Sequence, residues 1–350
     1  MDEQDRKRLK TQNSELTWKL KKVIRESSGE NVISLLPNRL DSSLHNIVSS
    51  ISKHQVNIYD SAHFGENLDL FMAFRSAPEE EFLCGAWVKA DIDGSDALSD
   101  TILAIGSKSG KIHLLSLAYS QEIEVIDGNE KGSSIIGLAG SSLHAVTFAS
   151  CGTDGNVKIW KRKKDISVLI GIISLSSVIV SFAGDHSILL AGKDNTLRSF
   201  DISSILTDFE SVDLPVHFRE DDGQIIVRRS NNMSRLCHFQ VLHDHQVICL
   251  FTDGVVQLID ILNGEQQVRW EISNFSKSDP CRFGICPEGK YFVVSNSNGI
   301  VQLYDIPTGK KVDKFQNERM RKACGNTVFG NSKSTLIVST DCILWFFVKS

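Results

Sequence analysis

The chain has 350 residues, 41% of them hydrophobic, which allows one or two domains around a large buried core. Its 38 basic and 43 acidic residues leave a formal net charge of −5, a balance that argues against a whole-molecule field for nucleic acid or membrane surfaces. The first ten residues, MDEQDRKRLK, are highly charged where a secretory signal needs an apolar stretch, so an intracellular protein is expected.

In chain order, residues 1–15 carry Arg6, Lys7, Arg8 and Lys10 and read as a basic, flexible N-terminus. Residues 16–24 (LTWKLKKVI) read as a strand standing ahead of a series of repeats. Each repeat is an apolar strand, a short turn and a second strand of alternating side chains, often closing on an aromatic residue and Asp. The position before that Asp is occupied in turn by Tyr59, Leu115, Trp160, Phe200, Ile259, Tyr304 and Phe347, at spacings of 56, 45, 40, 59, 45 and 43. Spacings of 40–45 suit a four-stranded propeller blade, and the two longer ones carry extra segments, roughly 61–100 and 203–235. Gly110, Gly155, Gly254 and Gly299, with Asn195 in the fourth copy, stand in the tight turns, where positive φ is tolerated. The alternation in Val157-Lys158-Ile159 puts the apolar pair on one sheet face.

A single blade cannot bury both of its faces, so stacking around a ring must complete the core. The expected fold is therefore all-β, a seven-bladed WD40 β-propeller over residues 16–350, closed by the N-terminal strand in the last blade. The uncharged stretch 166–184 has the length of a membrane span, but its serines, above all Ser174–Ser177, break it into two strands, 168–173 and 178–182. The repeats are degenerate: the Gly-His pair common in WD repeats is missing, and only Trp160 supplies the Trp, so packing must hold the blades. The eight cysteines, Cys84, Cys151, Cys237, Cys249, Cys281, Cys286, Cys324 and Cys342, read as reduced residues, several of them small core hydrophobes.

Enzyme signatures are missing: there is no P-loop, GxSxG or HExxH. His243 and His245 flank Asp244 and read as a polar loop, and Cys281 and Cys286 have the wrong spacing to share a zinc on one strand. No catalytic residue, cofactor or metal is expected. The basic run Lys161, Arg162, Lys163 and Lys164 follows a strand and is expected as an exposed loop, either a solvated turn or a nuclear-import signal.

The block Glu80–Trp87 (EEFLCGAW) with 102–115, then 148–160, and 279–283 leading to Tyr304, resembles the extra-sex-combs/EED group, the propeller subunit of Polycomb repressive complex 2. Ala77-Pro78 ahead of that block, and the stretch from Asn326 onward, also resemble the origin-recognition-complex-associated leucine-rich-repeat and WD-repeat protein. The resemblance implies a nuclear, non-enzymatic scaffold subunit of a chromatin-modifying complex, with a histone methyltransferase peptide and histone tails as partners. The alternative is an adaptor propeller, nuclear or cytoplasmic, in origin recognition or heterochromatin, ribosome assembly or ubiquitin ligation. No membrane, nucleic acid or small-molecule substrate is implied. Carried over residue by residue, the group's methyl-lysine cage falls on Leu83, on Asp279 and Pro280, and near Val32–Ile33, none of them aromatic. Candidate interaction residues are Phe82, Leu83, Asp279 and Arg282, with Phe82 read both as core and as placed to reach the ring's mouth.

Overall fold

Two alternating segments joined by one tight turn fold as an antiparallel hairpin, and the turns carry the geometry this needs. Gly110, Gly155, Gly254 and Gly299 have φ of 89°, 85°, 80° and 75°, and Asn195 takes the same place at 64°. In three of these turns the side chain ahead closes the bend. Oδ1 of Asp154, Asp194 and Asp253 accepts from the backbone N–H two residues on, at 3.1, 3.2 and 3.2 Å.

The computed structural model describes residues 18–40, 44–61, 68–89, 101–129, 132–144, 146–163, 166–207, 214–228, 234–243, 245–273, 275, 282–296, 298–320 and 324–349. Their strands form seven sheets, the blades of a closed β-propeller. The inner strands, numbering the blades one to seven, are Ser34–Pro37, Phe82–Val88, Ile135–Gly140, Ser177–Ala183, Leu236–His243, Gly284–Ile285 and Asn326–Phe329. Tyr59, Leu115, Trp160, Phe200, Ile259, Tyr304 and Phe347 all fall on the third strand of their blades, and all are buried.

The core lies between blades, as the two-faced apolar pattern requires. Ala149 and Val157 of blade three pack with Ile188, Leu190 and Phe200 of blade four. Val293 and Leu303 of blade six pack with Phe329 and Val338 of blade seven. Between blades two and three the backbones themselves touch: a Cβ on Gly140 would overlap the Trp87 carbonyl oxygen, so only glycine fits. Packing is not alone in holding the blades. Trp160 Nε1 donates to Ser150 Oγ at 2.9 Å, and Trp345 Nε1 to Thr340 Oγ1 at 2.7 Å.

The ring is closed by Trp18–Arg25, which pairs antiparallel with Ile343–Lys349 as the outer strand of blade seven, with Val23 opposite Trp345. Trp18 stacks on Phe315 of blade six at 5.4 Å and donates to Asp313 Oδ2 at 3.1 Å, while Lys22 reaches Asp69 of blade one at 2.6 Å. The turn after this strand is locked by Glu26, a buried side chain that accepts from Ser50 Oγ, Asn57 Nδ2 and Tyr59 Oη. Burial and the Glu26 charge together push the Tyr59 hydroxyl far above its usual range.

The stretch 166–184 folds as two strands, Ile166–Ser174 and Ser177–Ala183, in separate blades. Among the described residues no helix is long and apolar enough to cross a membrane. The second long spacing holds more than an inserted segment. After the short helix Ser203–Thr207, Val216–Arg219 lies parallel against Gly171–Ser174 and gives blade three a fifth strand, before Gln224–Arg228 completes blade four.

Candidate functional site

The inner strands of all seven blades surround a cavity of about 330 Å³ on the ring axis, lined by Leu36, Trp87, Leu138, Val180, Phe239, Phe283 and Val328 among others. Among the described residues two charged side chains, Arg39 and Arg282, line this mainly apolar space, together with His238, Ser181 and Gln240. Arg282 stands just ahead of the inner strand of blade six, where it bridges to Asn326 of blade seven. Its Nη1 donates to Ser34 Oγ of blade one at 2.6 Å. Arg39 follows the inner strand of blade one. Its Nη2 donates to the carbonyls of Phe329 and Gly330 at 2.7 and 2.9 Å, while its Nη1 is buried with no partner.

The electrostatics follow from enclosure. Burial brings the Arg39 guanidinium down to about 10, against smaller opposing effects of Cys286 and Glu288, and burial lowers Arg282 as well. Burial, and then the charge of Arg282, push His238 down to about 3, so its ring is neutral at ordinary pH. That ring meets Phe283 edge-on at 4.7 Å.

The residues singled out in the sequence fare differently. Leu83 is half-buried on the inner strand of blade two, and Arg282 lines the cavity. Phe82 is corrected as an interaction residue: it has no exposed surface and sits in the wall between blades one and two with Ile51, Val56 and Ile105. Its ring lies 6.2 Å from Phe74 and 5.5 Å from His113. The reason is strand register, which turns Phe82 toward blade one. Asp279 and Pro280 lie outside the described residues. Val32 and Ile33 are stitching residues: their N–H groups donate to Asp341 O and Ile51 O at 2.8 and 2.7 Å.

The basic run is also corrected as a loop. Lys161, Arg162 and Lys163 continue the strand Asn156–Lys163, paired opposite Val168, Ser167 and Ile166, because those partners prolong the hairpin. Arg162 meets Glu124 at 3.3 Å, with both side chains only 14% exposed. Lys164 lies outside the described residues. In the HDH segment, His243 pairs opposite Gln246 within the hairpin of blade five, and Asp244 lies outside the described residues.

No protein-family model matches this chain, and no curated protein matches it either.

Chemistry at the site is therefore read from the residues alone. Among the described residues no group of three or more His, Cys, Asp or Glu is placed to hold a metal ion. The described cysteines are free thiols, and burial pushes Cys84 up to about 12 and Cys151 higher still, which suits packing and not nucleophilic attack. What the channel offers is hydrogen-bond donation from a charged, partly buried guanidinium in a mainly apolar, partly open space. What the rim offers is contact area. Leu70 and Phe71 on the outer strand of blade one are 58% and 56% exposed, and Ile166 on the fourth strand of blade three is 66% exposed. Arg39 and His238 escaped the sequence reading, since neither sits in a motif and only closure of the ring brings them to one space.

Proposed function

We propose that this chain is a non-enzymatic WD-repeat scaffold of a nuclear, chromatin-modifying complex, presenting its propeller surface to a peptide of a histone methyltransferase. The observation that carries the scaffold reading is a closed seven-bladed ring whose outer strands leave large apolar side chains in solvent. Leu70 and Phe71, neighbours on one such strand, offer exposed apolar area that a partner would cover. The Polycomb-type assignment is supported by the Glu80–Trp87 block and rests on that resemblance. Within the block, Glu81 lies between Lys53 of blade one and Lys108 of blade two, at 3.0 and 3.2 Å, while Ser109 Oγ donates to Glu80 within blade two at 2.6 Å.

The test is affinity purification of the tagged chain from nuclear extract with quantitative mass spectrometry, run beside a Leu70→Ser/Phe71→Ser variant. A histone methyltransferase enriched with the parent chain and depleted with the folded variant is the expected result. Recovery of origin-recognition, ribosome-assembly or ubiquitin-ligase subunits in its place would overturn the Polycomb assignment and leave the adaptor reading.

A further inference from the structure

The two arginines of the channel stand at opposite ends of it. Arg282 bonds to Ser34, the first residue of the inner strand of blade one, and Arg39 lies beyond that strand's last residue, Pro37. Five residues of extended chain separate the two levels by roughly 16 Å. Arg39 has a structural task, since both of its hydrogen bonds tie blade one to blade seven. Among the described residues the Arg282 side chain makes a single hydrogen bond, to a neutral hydroxyl. Among the described residues no ion pair joins it to a carboxylate, and no Asp or Glu lines the cavity. A guanidinium carries five N–H donors, so this partly buried side chain keeps donors beyond the one given to Ser34, and it lines the cavity.

We propose that the central channel binds a small carboxylic acid, its carboxylate received by the Arg282 guanidinium and its hydrocarbon body lying among the apolar side chains of the inner strands. The planar fork of a guanidinium matches a carboxylate with two parallel hydrogen bonds. The rest of the wall is mainly apolar, with Leu36, Leu138, Val180 and Phe239, and Ser181 and Gln240 also line it. A singly charged head on an aliphatic tail satisfies both halves of the space, and a cavity of about 330 Å³ is within the range of small-ligand sites. His238 reports on occupancy. Its proton is disfavoured by burial and by Arg282, so an anion seated on Arg282 raises the pH at which it titrates. The acid is a bound ligand and undergoes no reaction.

The experiment is calorimetric titration of the whole chain with hexanoate and with hexanol, which share a tail and differ in the head. Saturable one-to-one binding of hexanoate with Kd below about 1 mM, at least tenfold tighter than hexanol, is expected. Arg282→Gln is expected to remove that preference, and the His238 ring signals in NMR are expected to shift their titration upward with hexanoate bound. Equal binding of the two probes, no saturable binding of hexanoate, or an unchanged preference in folded Arg282→Gln would each overturn the proposal. If Arg282→Gln fails to fold, the comparison of hexanoate with hexanol on the parent chain and the His238 titration decide the matter by themselves.

Discussion

Replacing Phe82 by Ala separates a core residue from a contact residue. The ring is completely enclosed, flanked by Phe74 at 6.2 Å and His113 at 5.5 Å, and packed on Ile51, Val56 and Ile105. Loss of a buried phenyl group costs about 3–5 kcal/mol, part transfer and part cavity, since the neighbouring strands relax only partially. Unfolding entropy near about 2.1 cal/mol/K per residue gives roughly 0.7 kcal/mol/K for a chain of this length, so the melting temperature falls by about 4–7 °C. Differential scanning calorimetry of Phe82→Ala beside Phe82→Leu measures this, with the leucine variant expected to recover more than half of the loss. A fall of less than about 1 °C in the alanine variant would refute the placement of this side chain in the wall between blades.

Glu26→Leu leaves the Ser50, Asn57 and Tyr59 donors without an acceptor, and at about 1–3 kcal/mol for each orphaned group the variant should lose roughly 3–9 kcal/mol in urea denaturation. For Asp194, burial raises the carboxyl pKa, but hydrogen bonds from Thr196 and Arg198 outweigh it and hold the group below its ordinary 3.8. Its contribution is then fully present above that ordinary value and is lost as pH falls through the lower folded one, so Asp194→Asn should flatten the acid limb of a stability-against-pH curve. Histone peptides carrying trimethyl-lysine should bind no better than unmodified ones in a fluorescence titration. By the resemblance the cage positions fall on Leu83, on Asp279 and Pro280, and near Val32–Ile33, none of them aromatic, where each aromatic would be worth about 0.5–2 kcal/mol. A clear preference for the methylated peptide would contradict that residue assignment.

The ring was legible because its signals are local. A Gly or Asn at a positive-φ turn, an alternating strand and a buried residue at the Tyr59, Trp160 or Tyr304 position recur within a few residues of each other. The N-terminal clasp was legible from its alternating apolar residues, Trp18, Leu20 and Ile24. What escaped depends on contacts far apart in the chain. Val216–Arg219 alternates as a strand does, but four residues are too short a run to stand out, and it pairs because Gly171–Ser174 offers a free edge. Lys161–Lys163 read as a loop because charge suggests solvent, yet Ile166 and Val168 across the hairpin carry the strand on. Which way Phe82 points is fixed by its register against Ser107 and by blade one, and composition holds neither fact. The channel arginines are more remote still, since Ser34 and Arg282 are 248 residues apart.

The antiparallel clasp has a mechanical consequence. Trp18 lies opposite Lys349, and the pairing then runs inward to Arg25 opposite Ile343. A load applied outward at residues 18 and 349 therefore acts on one pair at a time, starting with the first. Hydrogen bonds loaded in sequence yield at much lower force than the same bonds sheared together. The ring resists heat through every bond of that strand at once, yet tethered by these two residues it should peel open like a zip. Handles placed instead within two neighbouring blades, away from this strand, would have to slide packed sheets across each other and should meet a far stiffer molecule.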